Sequence, residues 1–309
     1  MKQKHIENTL FLGNGFSRTI FNNIPSWGEL LQISDSPISN YTIRYETYRM
    51  KKSKETEEGI KKELIRKITA AFSSQNIMDN TNDLKQFGEY LLKCNVNNII
   101  TTNYDNGIEL ILCDFCGYKE DKSKVTAERI YSIRTHKLLV NEKSGHAIKI
   151  WKIHGDLDRI KSITLGLDQY CGALAKLTEY VKGTYKSSQS NNGVECKISM
   201  EEKCSKQIFD NISWAELFFK TNVCIVGFGM DFSEIDIWWL IDKRARLMLA
   251  VPEIKNRIEY LYNPEYDKVE EKAEIFAALK AFGVSTKAIN NGESYIKNIT
   301  LDAFTGLTK

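Results

Sequence analysis

Several short apolar runs, each closing on glycine or a small polar residue and each followed by a helix-like stretch, constrain this chain more than any other feature. "FLGNGFSR" (11–18) is the first: Thr9-Leu10-Phe11-Leu12 meets Gly13-Asn14-Gly15, and Ser17 follows. "NNIITTNYD" (97–105), "AIKIWKIHGD" (147–156), "NVCIVGFGMD" (222–231) and "RIEYLYN" (257–263) repeat the arrangement, and "VSTKAI" (284–289) adds a late strand. Runs this short and this apolar read as strands buried on both faces. Alternating with helices, they predict an α/β fold: a Rossmann-like parallel sheet with helices on both faces. "SITLG" (162–166) reads as one further short strand.

The segments between the strands are helical in pattern. "ETEEGIKKELIRKITAAF" places Ile60, Leu64, Ile65, Ile68 and Phe72 on one face. Ser26 and Glu29 in "NNIPSWGELL" fit a capping box. Asn14 or Ser17 is available to cap the first helix, and Ser233 to cap "SEIDIWWLIDKRARLML". A helix is also expected around 268–282. Helical insertions near 36–92 and 167–220, the second broken by the polar loop at 183–193, are expected within one catalytic domain spanning 1–309.

Composition removes some function classes. No stretch approaches the roughly 20 apolar residues of a membrane span, and the charged N-terminus has no signal-peptide pattern. Seven cysteines, an odd number, predict reduced thiols and a cytoplasmic setting. A net charge of +3 makes no case for nucleic acid, and Arg244-Ala245-Arg246 reads as a solvated helix face. Cys113 and Cys116 form a CxxC without a second pair, so no metal is expected. Trp238-Trp239 serves either an oligomer interface or the core.

Ligands of open α/β sheets bind beyond the carboxyl ends of the strands. Those ends carry Gly13-Asn14-Gly15 with Ser17, then Thr102-Asn103 with Asp105, then His154, then Gly227-Phe228-Gly229, then Asn263. Singly each has a plain structural use. Gly13-Asn14-Gly15 lacks the third glycine of a dinucleotide fingerprint. Asn103 and Asp105 suit a helix cap, and an isolated histidine has many structural roles. In a parallel sheet, however, all five sets converge on one crevice.

In this order the motifs resemble the sirtuin family, and in particular the sirtuin-like NAD hydrolases of bacterial antiphage defence. "FLGNGFS" resembles their GAGxS loop, "TTNYD" their TQNxD and "KIHGD" their HG motif. "VGFGMDFSEIDIWWLI" resembles their nucleotide-binding strand and helix. The chain departs from deacylating sirtuins in lacking the paired CxxC of their zinc module. It also keeps Ile24-Pro25 but not the acidic-aromatic-arginine run that follows in those enzymes, and it has Phe228-Gly229 where Ser or Thr is usual.

The resemblance implies NAD+ as substrate and loss of nicotinamide as the reaction. Gly13, Asn14 and Gly15 would then bring backbone N–H groups to the pyrophosphate, aided by the following helix, with Ser17 as a further donor. Asn103 and His154 are the expected catalytic pair. Asn103 would hold a ribose hydroxyl or water, and His154 would act as general base. Asp105 would orient Asn103 or bind the ribose; Thr102, Gly227, Phe228, Gly229 and Asn263 would complete the cofactor site, Asn263 at the adenosine ribose. The expected role is NAD+ depletion during infection, in a homo-oligomer, with no membrane and no nucleic acid. A separate sensor or a ring-forming ATPase is an open expectation. An NAD-dependent protein deacylase and a non-catalytic sensor of NAD or ADP-ribose are the alternatives.

Overall fold

The strands, in chain order, are β1 (Asn8–Leu12), β2 (Val96–Thr101), β3 (Tyr118–Glu120), β4 (Lys137–Asn141), β5 (Ala147–Lys152), β6 (Asn222–Val226), β7 (Ile258–Tyr262) and β8 (Ser285–Ala288). Every residue of β1 and β6 is buried, which requires a strand covered on both faces. The polar Thr9 is accommodated there by a 2.8 Å hydrogen bond to the Thr221 hydroxyl. The computed structural model describes residues 6–21, 24–30, 37–52, 56–71, 77, 81–123, 128, 130–187, 193–264, 267 and 269–289.

The strands form one sheet in the order β3-β4-β5-β2-β1-β6-β7-β8. From β5 to β8 every pairing is parallel. Ranked by chain order, this parallel part runs 3-2-1-4-5-6, the order of a dinucleotide-binding sheet. The direction of winding reverses between β1 and β6, so a crevice opens beyond their carboxyl ends.

The sheet is mixed rather than wholly parallel, because β3 and β4 extend the β5 edge in antiparallel fashion. "KLLVN" of β4 buries only Leu139 fully and carries no strong apolar pattern. "SITLG" is not a strand. Residues Ile160–Ser162 make a 3-10 turn, and Thr164 N donates to His154 O at 2.8 Å instead of joining a ladder.

Helices α1 (Asn14–Ile20), α2 (Trp27–Leu30), α3 (Tyr41–Lys51), α4 (Glu57–Ala71) and α5 (Thr81–Lys93) lie between β1 and β2, and α6 (Gly107–Asp114) follows β2. Then come α7 (Leu167–Lys182), α8 (Met200–Lys206), α9 (Leu217–Lys220), α10 (Ile235–Ala250) and α11 (Ala273–Ala281). Alternate strand residues feed two cores. Leu10, Leu12, Ile99 and Val226 pack under Phe16, Phe87 and Ile111 of α1, α5 and α6. Phe11, Ile100 and Ile225 pack under Tyr180, Phe218 and Leu240 of α7, α9 and α10. A third cluster joins Tyr45 of α3 and Ile60, Leu64 and Ile68 of α4 to Tyr104, Ile163 and Leu165. The inserted helices α3 and α4 therefore sit on the loops that follow β2 and β5. Phe72 and residues 188–192 of the expected polar loop lie outside the described residues.

The capping box at α2 forms as the spacing predicts: Ser26 N donates to Glu29 Oε2 at 2.6 Å, and Glu29 N to Ser26 Oγ at 3.3 Å. The cap of α1 is Gly13, with Asn14 and Ser17 inside the helix. Ser233 does not cap α10; its N and Oγ both donate to Asp231 Oδ1, and Glu234 holds the cap position. Arg244 is not on a solvated face. It continues the stripe Ile237, Leu240, Ile241 of α10, is 1% exposed, and bonds to Asn256. Arg246, on the outer face, pairs with Asp242 at 2.9 Å. Trp238 and Trp239 are half-buried against the main core, and Trp238 packs tilted against Phe232 with centroids 5.3 Å apart. Among the described residues, no helix is long and apolar enough to cross a membrane.

Candidate functional site

The loops after β1 and β6 close on each other at the reversal point. Gly13 N donates to Val226 O at 3.0 Å and Gly15 N to Gly227 O at 2.8 Å. A Cβ on Gly13 would lie 2.5 Å from both Gly227 O and Phe228 Cα, and one on Gly15 would lie 2.8 Å from Gly227 O. These glycines thus let two backbones touch. Their amide groups are spent on that contact, which differs from the role expected of them as phosphate donors.

Beside this contact lies a cavity of about 540 Å³. Of the residues read from the strand ends, Asn14, Gly15, Thr102, His154, Gly227, Phe228, Gly229 and Asn263 line it, so five separate strand ends contribute. Gly13, Ser17, Asn103 and Asp105 do not. Ser17 and Asn103 are buried just behind the lining, where Asn103 Nδ2 donates to Ser17 Oγ at 3.0 Å. The loop after β1 thereby fixes the carboxamide carried by the loop after β2. Asp105 faces away: its Oδ1 accepts from Gly107 N at 2.8 Å at the start of α6. Burial pushes its carboxyl up to about 6, although Lys152 opposes this.

His154 ends the chain's exit from β5 and is 3% exposed. Gly155 follows with φ +113°, and a Cβ there would strike the Ser162 carbonyl. The glycine lets the chain fold back so that Thr164 can bond His154. The His154 ring lies between two carboxylates of the segment after β6: Nε2 is 2.9 Å from Asp236 Oδ2, and Nδ1 is 3.7 Å from Glu234 Oε2. Tyr170 of α7 packs edge-on to the ring at 5.2 Å and donates its hydroxyl to Glu234 Oε2 at 3.1 Å. Burial alone would depress the His154 pKa, but Asp236 and then Glu234 outweigh it and hold the ring at about 9. Burial raises Glu234 to about 7, against the pull of His154. The cluster thus stores a proton near neutrality.

Glu234 and Asp236 were not singled out in the sequence, where acids opening a helix read as complements to its dipole. Their signal is position: they open α10, the first helix after the β6 strand end. Arg18 was also missed. It lies one turn beyond Asn14 on α1 and brings a guanidinium to the cavity wall, with Thr19 and Ser26 nearby. One ligand atom each from His154, Glu234 and Asp236 lies within 4.8 Å of the others, a spacing that could hold a cation.

Below the strand ends of β2 and β5, Lys152 Nζ lies 2.9 Å from Glu109 Oε1 and 3.6 Å from Asp156 Oδ1, and Lys137 Nζ lies 3.2 Å from each of the same acids. This network, buried at Lys152 and Asp156 and partly exposed at Lys137 and Glu109, braces the loops carrying Asn103 and His154 from beneath. Comparison with known protein families matches residues 97–282, more than half of the chain, to the SIR2-like domain. The matched span includes Asn103, His154, Gly227, Asp236 and Asn263, and begins after the Gly13 loop. No curated protein matches the chain significantly.

Proposed function

Since this chain belongs to the SIR2-like domain family, whose members bind NAD+, we propose that it is an NAD+ glycohydrolase that cleaves the bond between nicotinamide and ribose. One observation carries the reading. A buried histidine, oriented by Asp236, lines the same cavity as the polar strand ends of β1, β2, β6 and β7.

The pyrophosphate lies along Asn14, Arg18 and Thr19, where Arg18 offers a planar donor pair for phosphate oxygens. The adenosine ribose lies toward Asn263. The nicotinamide ribose lies at His154. As the C1′–N bond breaks, its electron pair passes to the pyridinium ring, which leaves neutral. Positive charge moves to the ribose, where the carboxylates of Asp236 and Glu234 stabilise it. Water then adds to C1′ and gives its proton to His154, yielding ADP-ribose. Asn103, which Ser17 pins just behind the cavity wall rather than in its lining, would hold that water or a ribose hydroxyl from there, the role the family resemblance implies. A base must be neutral, and His154 in the free protein favours its charged form. The cationic pyridinium arriving beside the ring lowers its pKa toward the working range.

The test is nicotinamide release from NAD+ by the purified chain. His154→Ala and Asn103→Ala are each expected to lose activity by at least about 100-fold, the scale of a lost general base, with the folded far-UV spectrum retained. Unchanged turnover in both variants removes these roles. Release that depends on an added acyl-lysine peptide would make the protein a deacylase instead. The biological role we propose is NAD+ depletion in response to phage, in a homo-oligomer under control of a separate partner. The resemblance of "FLGNGFS", "TTNYD" and "KIHGD" to the defence enzymes supports this, and the seven free thiols suit a reducing cytoplasm.

A further inference from the structure

Tyr45 comes from α3, far from the strand ends in sequence, yet it lines the cavity beside His154. It is 1% exposed, and its hydroxyl has no hydrogen-bond partner among the described residues. A buried hydroxyl left unpaired costs free energy that phenylalanine, with the same shape, would avoid. The neighbouring tyrosines differ. The Tyr104 hydroxyl donates to Thr164 O, and the Tyr170 hydroxyl to Glu234 Oε2. Of these three tyrosines in the cavity lining, Tyr45 is the one whose hydroxyl is left for a ligand.

The surroundings define the ligand's chemistry. Tyr45 packs with Tyr104 and Leu165, and Tyr170 stands edge-on to His154, so the walls suit a flat ring. The carboxyl groups of Glu234 and Asp236, set against the His154 ring, favour positive charge on such a flat ring. Burial raises the Tyr45 pKa above its ordinary value, so the hydroxyl stays protonated and acts as a neutral donor. A cationic aromatic ring bearing one oxygen acceptor is a pyridinium carboxamide. Resting on the reading of NAD+ as substrate, we propose that the Tyr45 hydroxyl donates a hydrogen bond to the carboxamide oxygen of nicotinamide, making the α3 insertion part of the substrate site.

The experiment is calorimetric titration of the whole chain with nicotinamide and, separately, with ADP-ribose, in wild type and Tyr45→Phe. Nicotinamide is expected to bind about tenfold more weakly to the variant, the worth of one buried neutral hydrogen bond. ADP-ribose, which lacks the carboxamide, should change by less than about twofold on the same reasoning. The Tm of the free variant should stay level or rise, because an unpaired hydroxyl is removed; a hydroxyl with a structural partner would give a fall. Equal losses for both ligands, no loss for either, or no nicotinamide binding by wild type would overturn the proposal. Failure of ADP-ribose to bind wild type, with Tyr45-dependent nicotinamide binding intact, would instead count against NAD+ as substrate.

Discussion

Asp236 turns an ordinary buried histidine into a group with a set orientation and a raised proton affinity. The 2.9 Å bond from Nε2 leaves Nδ1 toward Glu234 and Tyr170. If neutral His154 accepts the proton of the attacking water, activity should rise with pH along a limb set by this ring. Asp236→Asn keeps the shape but removes the charge that holds the pKa near 9. The limb should then move toward lower pH by about one unit or more, because a unit charge this close is worth more than one pKa unit at interior permittivity. A kcat–pH profile measures it. A profile that drops in height without moving would mean that Asp236 acts through packing alone.

At the scale of elements, the site depends on the loops after β1 and β6 touching. Gly13→Ala would drive a Cβ to 2.5 Å from Gly227 O and Phe228 Cα, both backbone atoms that cannot swing aside. The expected cost is roughly 2–3 kcal/mol in urea unfolding, as for overpacked cores. Gly229→Ala, whose Cβ would meet nothing within 4 Å, serves as the control and should stay within about 0.5 kcal/mol of wild type. Similar losses at both positions would show that close approach is not what Gly13 provides. The central strands were legible because each is an apolar run with two dry faces, and their small-residue ends led directly to the cavity. The β3–β4 edge was not, since β4 buries one residue fully and owes its place to β5. The loop glycines read as phosphate donors in the sequence, and the contact that takes up their amides was not legible: only the pairing of β1 with β6 brings Gly227 to Gly13. Tyr45 was hidden for the same reason, as part of a helical face whose burial under the loops after β2 and β5 is a tertiary event.

Across the whole molecule, the site's electrostatics should appear in the pH dependence of stability. Three groups have raised folded-state pKa values: the buried Asp105 at about 6 and His154 at about 9, and the partly exposed Glu234 at about 7. Each binds its proton more tightly folded than unfolded, so each favours the fold at low pH and loses that contribution as pH rises. The His154 contribution is complete below its unfolded pKa of about 6.5 and is lost as pH climbs through the folded value. The shift corresponds to something on the order of 3 kcal/mol. Glu234 adds a loss of the same sign between its ordinary value of 4.5 and about 7. Asp156 and Asp210, held low by nearby lysines although burial pulls them up, act in the opposite sense but only under acid conditions. Stability should therefore peak on the mildly acidic side and fall toward pH 9. Thermal melts of wild type and His154→Gln between pH 6 and 9 separate the contributions: the variant, unable to titrate at that position, should show a flatter decline above about pH 6.5. Parallel curves for the two proteins would mean that the His154–Asp236 pair does not hold its proton in the folded state, and the raised pH limb expected of catalysis would lose its basis with it.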